Sequence, residues 1–163
     1  MILSFQSFIT ARPVETIIIS FLTMLLAQAV KILTYFIKYH KLDLSVVVST
    51  GGFPSSHSAF CISLCVSMGL FQWYDNGALE WSFVVACVFA AIIIHDAMGV
   101  RLEASKHAKI LNRIAVLTDE EKEEIGYGKN GQLKELLGHK FSEVLAGIIF
   151  GIICAVIGFF ICI

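Results

Sequence analysis

The chain alternates long apolar runs with shorter polar ones. Four runs reach, or nearly reach, the roughly 20 residues a helix needs to cross a bilayer. They cover about Val14–Tyr39, Ser58–Trp73 (the shortest), Trp81–Val100 and Phe141–Ile163. Pro13 stands just ahead of the first run, where proline suits a helix start. No cleavable signal peptide is expected, because that run is too long and lacks a basic leader. The residues before Pro13 are expected to lie along the membrane interface. Residues 42–56, LDLSVVVSTGGFPSS, are too short to span and end in glycines and a proline. They predict a short re-entrant or interfacial segment. Residues 102–137 are polar. Within them Ala104–Leu117 has apolar residues at helical spacing, with Lys106, Lys109 and Arg113 on the other side. The acidic run Asp119–Glu124 reads as a further helix start, and Gly126, Gly128 and Gly131 as a turn. The predicted fold is all-α: one membrane-embedded domain over residues 1–163, an integral helical bundle of about four transmembrane spans with a polar cytoplasmic helical loop.

Composition sharpens this picture. Hydrophobic residues make up 57% of the 163-residue chain and charged residues 15%, which excludes a disordered or nucleic-acid-binding protein. Cys61, Cys65, Cys87, Cys154 and Cys162 all fall in apolar runs without metal-type spacing, so they read as packing residues. Gly147 and Gly151 form a small-xxx-small pair. It serves either packing within one subunit or a homodimer contact, and the expectation favours the homodimer. Charge placement sets the topology. All but Arg12 and Lys31 of the twelve Lys and Arg residues fall in the loops after the first and third spans. Those loops should face the cytoplasm, and both termini the outside.

Ionisable and polar residues inside spans are costly and mark function by default. Lys31 lies in the inner half of span one. Ser55, Ser56 and His57 open span two. Asp96 and Arg101 close span three, and His139 and Glu143 open span four. Alternating spans bring all of these to one, cytoplasmic, end. Lys and Arg neutralise an anion such as phosphate. The Gly51–His57 loop, leading into a helix start, supplies glycines, hydroxyls and amides for a phosphate cradle. The i, i+4 spacing of His139 and Glu143 puts the carboxylate on the face of the imidazole it would orient. Structural readings stand beside these: a snorkelling Lys31, a helix-capping His57, an Asp96–Arg101 ion pair, and a Glu143 that simply favours a helix N-terminus.

The residues themselves resemble a known family. Pro54-Ser55-Ser56-His57 is similar to the PSGH signature of the type-2 phosphatidic acid phosphatase superfamily, which includes vanadium haloperoxidases. Gly138-His139-Lys140-Phe141-Ser142-Glu143 resembles the end of its third signature, S-R-x5-H-x3-D. Lys31-x6-Lys38-Tyr39 occupies the place of the first, K-x6-R-P. GGFPSSHSA, HDAMGVRLEASKHAKILN and LKELLGHKFSEVLAG together look like the small divergent membrane branch, over about Thr23–Gly151. Four departures stand out: Lys38-Tyr39 for Arg-Pro, Ser56 for the glycine of the second signature, Leu133 at the arginine of the third, and Glu143 for its aspartate. Arg101 is the candidate to supply the missing guanidinium.

The resemblance implies a lipid (phospholipid or polyprenyl) phosphate phosphatase of the bacterial plasma membrane, independent of metal or other cofactor. In it His139 is the nucleophile, Glu143 orients it, and His57 is the acid and base. Lys31, Lys38, Arg101, Ser55 and Ser56 hold the phosphate, and Asp96 supports Arg101. Membrane lipids are the other expected partners. The competing class is a non-catalytic lipid-phosphate binder, carrier or flippase. A metal enzyme using Asp96, Glu103, Glu143 and the histidines is disfavoured by the lack of a compact ligand motif. The topology makes one direct prediction: a cysteine replacing Lys129 should react with an impermeant thiol reagent only from the cytoplasmic side, and labelling from outside would invert the assignment.

Overall fold

The computed structural model describes residues 12–40, 52–114, 133 and 138–163. Five helices are seen: α1 (Pro13–Tyr39), α2 (Ser56–Asn76), α3 (Trp81–Met98), α4 (Val100–Ile114) and α5 (Phe141–Cys162). The described residues contain no strand. Most of the predicted re-entrant segment, the acidic run and the glycine turn lie outside the described residues.

Local chemistry explains the helix ends. Pro13 occupies the first turn of α1, with Glu15 near its positive pole. The Ser55 side chain caps α2 by accepting from the Ser58 N–H. Gly77 ends α2 in the left-handed conformation that favours glycine. Gly99 breaks the run between α3 and α4. Among the described residues, three stretches are long and apolar enough to cross a membrane: Pro13–Tyr39, Trp81–Asn112 taken through the Gly99 bend, and Phe141–Cys162.

The second expected span differs from these three. α2 begins two residues earlier than predicted, and its 21 residues extend about 31 Å, enough for the hydrocarbon core. Its sequence is nevertheless much more polar. The reason is its position: α1, α3 and α5 all pack against it. It meets protein rather than lipid on most sides, so Ser58, Ser63, Ser67 and Gln72 are buried along it. Ser63 donates to the Phe60 carbonyl and Ser67 to the Ser63 carbonyl, so these hydroxyls are satisfied on their own helix. The outward faces of the other helices expose Leu25 and Leu33, Phe89 and Ile92, and Ile149 and Ile153, as a lipid-facing surface requires.

The tightest seam joins α5 to α2. A Cβ on Gly147 would collide with the Ser55 carbonyl, and one on Gly151 would lie 2.6 Å from the Ala59 carbonyl. Gly147, Gly151, Ala155 and Phe159 continue as a buried stripe at four-residue spacing. The glycine pair therefore packs helices within one subunit. This corrects the expectation that it forms a homodimer contact, since its surface is already covered by α2.

At the end remote from His57, Arg12 binds three helices together. It pairs with Asp75 at 3.2 Å, donates to the Cys162 carbonyl at 3.1 Å and lies over the Phe71 ring. The α2–α5 seam yields a stability prediction. Gly147→Val should cost about 1–3 kcal/mol through overpacking, read as a lower unfolding temperature in detergent. Ile149→Val, on the outward face, should leave that temperature nearly unchanged. Equal effects would overturn this account of the seam.

Candidate active site

Site construction starts on α1. Gln28, Lys31 and Thr34 recur at three-residue spacing, so one face of an apolar helix carries three polar side chains. All three engage the segment entering α2. The Gln28 amide donates to the Ser56 hydroxyl at 3.0 Å, and the Thr34 hydroxyl donates to the Phe53 carbonyl at 2.8 Å. Gly52 sits against the aliphatic stem of Lys31, where a Cβ would collide with it. Its φ of 113° is open to glycine and strained for other residues. Lys31 is only 3% exposed, so its stem packs under this loop instead of snorkelling to water.

The opposite wall comes from α3, α4 and the start of α5. The break at Gly99 leaves the Ala97 carbonyl outside the helical ladder, and the His139 N–H donates to it at 3.0 Å. Gly138, with φ 79°, brings its backbone onto that of Arg101 and Leu102. Asn112 grips Leu133 through both backbone groups, at 2.8 and 3.0 Å. The Ser55 N–H donates to the Glu143 carbonyl at 2.9 Å, which ties the loop before α2 to the first turn of α5.

His57 and His139 face each other across this junction. Their ring centroids are 6.3 Å apart at 70°. His57 is exposed, whereas His139 is 4% exposed. His139 Nδ1 is buried with no hydrogen-bond partner among the described residues, an arrangement that normally costs about 1–3 kcal/mol and calls for an explanation. The basicity of His139 is lowered to about 4, chiefly by burial and then by the charges of His57, Lys31 and Arg101. One imidazole thus senses three of the other groups that the sequence placed at this end.

The remaining site residues divide. Arg101 Nε pairs with Asp96 Oδ2 at 2.6 Å, so Asp96 fixes the direction of the guanidinium. Ser55 and Ser56 are buried, and both hydroxyls take part in hydrogen bonds that build the loop. Helix geometry leaves the Ser56 and His57 amides without acceptors inside α2, which favours an anion at that end. Lys38 stands apart: it is exposed, with Nζ 5.1 Å from the centroid of the Tyr39 ring. Glu143 also departs from expectation. Its carboxylate accepts from the Lys140 N–H at 3.1 Å and so caps α5. The i, i+4 argument does not apply because His139 precedes the helix, which begins at Phe141. Among the described residues no group of three or more His, Cys, Asp or Glu is placed to hold a metal ion.

Sequence reasoning missed Gln28, Thr34, Asn112 and Gly138. The polar stripe on α1 was the available signal for the first two. Asn112 and Gly138 fall inside the family-like motifs, but their partners are 21 or more residues away and no local spacing reveals them.

The sequence pattern of the Divergent PAP2 family matches residues 14–154. The chain belongs to the Divergent PAP2 family. A relative in Bacillus subtilis, described as the uncharacterized membrane protein YuiD, is 36% identical over 145 residues, covering 85% of this chain and 89% of that one. No solved structure matches. The family match includes every site residue named above from Lys31 to Glu143, and with the apolar helices it makes the chain an integral membrane protein.

The burial of His139 carries a pH signature. Unfolded, the imidazole takes up a proton near pH 6.5; folded, it resists until about pH 4. Its contribution to stability is complete above pH 6.5 and is lost as pH falls from there towards 4. The unfolding temperature in detergent should decline over that interval, and His139→Phe should flatten the decline. A variant profile as steep as the parent's would contradict the assignment.

Proposed function

We propose that the chain is a membrane-embedded phosphatase of lipid phosphates, phospholipid or polyprenyl, that works through a phosphohistidine at the cytoplasmic membrane interface. The observation that carries the reading is the His57–His139 pair, with ring centroids 6.3 Å apart and the charges of Lys31 and Arg101 acting on His139. A nucleophile must be unprotonated, and burial keeps His139 neutral at physiological pH. An acid that must reach a leaving group and later water is better placed on the open side, where His57 lies.

In the proposed cycle a His139 ring nitrogen attacks phosphorus and the bond from phosphorus to the ester oxygen breaks. His57 gives its proton to that oxygen. It then takes a proton from water, whose oxygen attacks phosphorus and releases His139 and inorganic phosphate. Lys31, Arg101 and the first amides of α2 neutralise the charge on the equatorial oxygens. Asp96 aims Arg101, and Glu143 holds the Lys140 turn that presents His139. Lys38, at the C-terminal, cytoplasmic end of the same face of α1, meets headgroups at the interface. Basic residues of α4 lie at the site's end of the bundle, which supports a cytoplasmic orientation.

One observation favours the non-catalytic reading of a lipid-phosphate binder or carrier. Glu143 caps α5, and no described carboxylate orients His139. A single experiment separates the two. Purified protein in detergent with EDTA is offered a panel of lipid and polyprenyl phosphates. Phosphate release that persists in EDTA, is blocked by vanadate and falls at least about 1,000-fold in His139→Ala is the expected result. Retention of lipid phosphate without release would establish the binder.

A further inference from the structure

We propose that the hydrocarbon chain of the lipid phosphate lies in the groove between α1 and α3, along the face of α2 that carries His57. The inference rests on the phosphatase site above and adds where the rest of the substrate goes. Both α1 and α3 pack on α2, but they make no substantial contact with each other. The other two seams are bridged by direct contacts. Between α3 and α5, His139 bonds to the Ala97 carbonyl and Gly138 rests on the Arg101–Leu102 backbone. Between α1 and α5, the helices pack directly, with Gly158 against Ile19 at the end remote from the site.

His57, Phe60, Leu64 and Met68 share one face of α2 by helical spacing. Phe60 identifies where that face points. Its ring lies 5.3 Å from Phe21 of α1, and it also packs on the cluster of Cys61, Cys65 and Ala90, the last from α3. The face therefore forms the floor between α1 and α3. Leu64 and Met68 are half-buried there, and Phe21 is exposed at the rim. From His57 to Met68 the floor runs about 16 Å along the helix.

The two ends of this groove differ in the way a lipid phosphate does. At the site end, Lys31 comes from the α1 side, Arg101 from the α3 side and His57 from the floor, and both cations act on the His139 ring that faces His57. Deeper in, the floor and rim residues Phe21, Phe60, Leu64 and Met68 are apolar, and Phe21 is exposed at the edge. A lipid with its phosphate between the cations can lay its chain against Phe60 and Leu64 without leaving the hydrocarbon core.

Two measurements test this. In the first, kcat/KM is compared for hexadecyl phosphate and butyl phosphate. Leu64→Trp should lower the long-chain to short-chain ratio about tenfold by displacing buried methylenes. Ile153→Trp, on the lipid-facing side of α5, should keep the parent ratio. An unchanged ratio in Leu64→Trp, or equal falls in both variants, would overturn the groove. In the second, a hexadecyl phosphate bearing a mid-chain diazirine is photolysed with the protein, with and without excess hexadecyl phosphate. Competable adducts within residues 60–68 and 84–93 are expected. Competable adducts confined to α5 would refute the groove, as would adducts spread evenly over all lipid-facing helices. If the parent releases no phosphate from either ester, the phosphatase reading fails, and the adduct positions still decide the groove.

Discussion

Everything at the site depends on how closely α5 can approach α2. Gly147 and Gly151 remove the side chains that would otherwise hold the helices apart, and the carbonyls of Ser55 and Ala59 occupy that space. This approach lets the Ser55 N–H reach the Glu143 carbonyl. One hydrogen bond then locks the entrance of α2 to the entrance of α5, and the two histidines sit on either side of it. In lipid, where apolar burial gives helices no preference for one another, such close packing and internal satisfaction of hydroxyls set the association. Ser63 and Ser67 of α2 meet both demands: they are small, and they hydrogen-bond to their own backbone.

The second wall is assembled from interruptions. Gly99 ends α3 and frees a carbonyl, His139 binds it, and Gly138 is the residue that can lie on the Arg101–Leu102 backbone. A helix break, a left-handed glycine and one backbone hydrogen bond thus place a nucleophile candidate and a guanidinium on the same patch. Asp96 and Arg101 are half-exposed, so their pair contributes little stability. Its value lies in direction, because the guanidinium is held at the mouth of the site.

Much of this architecture was legible in the residues. Apolar runs gave the helices α1, α3 and α5 within a few residues. Alternation of spans brought Lys31, His57, Arg101 and His139 to one end, because span direction is fixed by counting. Side-chain pairing was less legible. The spacing of His139 and Glu143 suggested a shared helix face, but spacing carries that meaning only inside a helix, and the N-cap at Lys140 puts His139 outside it. Lys38 matched a signature position, yet two turns of α1 carry it away from the loop that covers Lys31. The polarity of α2 could be read correctly only with its neighbours known, since a central helix and a poor span look alike in one dimension. Contacts such as Asn112 with Leu133 depend on tertiary closure that no local pattern records.

The unequal exposure of the two histidines has a stereochemical consequence for the proposed cycle. His139 approaches phosphorus from the protein side, and His57 guards the open side. The alcohol therefore leaves, and water enters, through the same opening. Each displacement is in line and inverts the phosphorus centre, so the two together restore the starting configuration. The depth of one imidazole and the openness of the other would thus be recorded in the handedness of a chiral phosphate carried through the reaction and passed on to an acceptor alcohol.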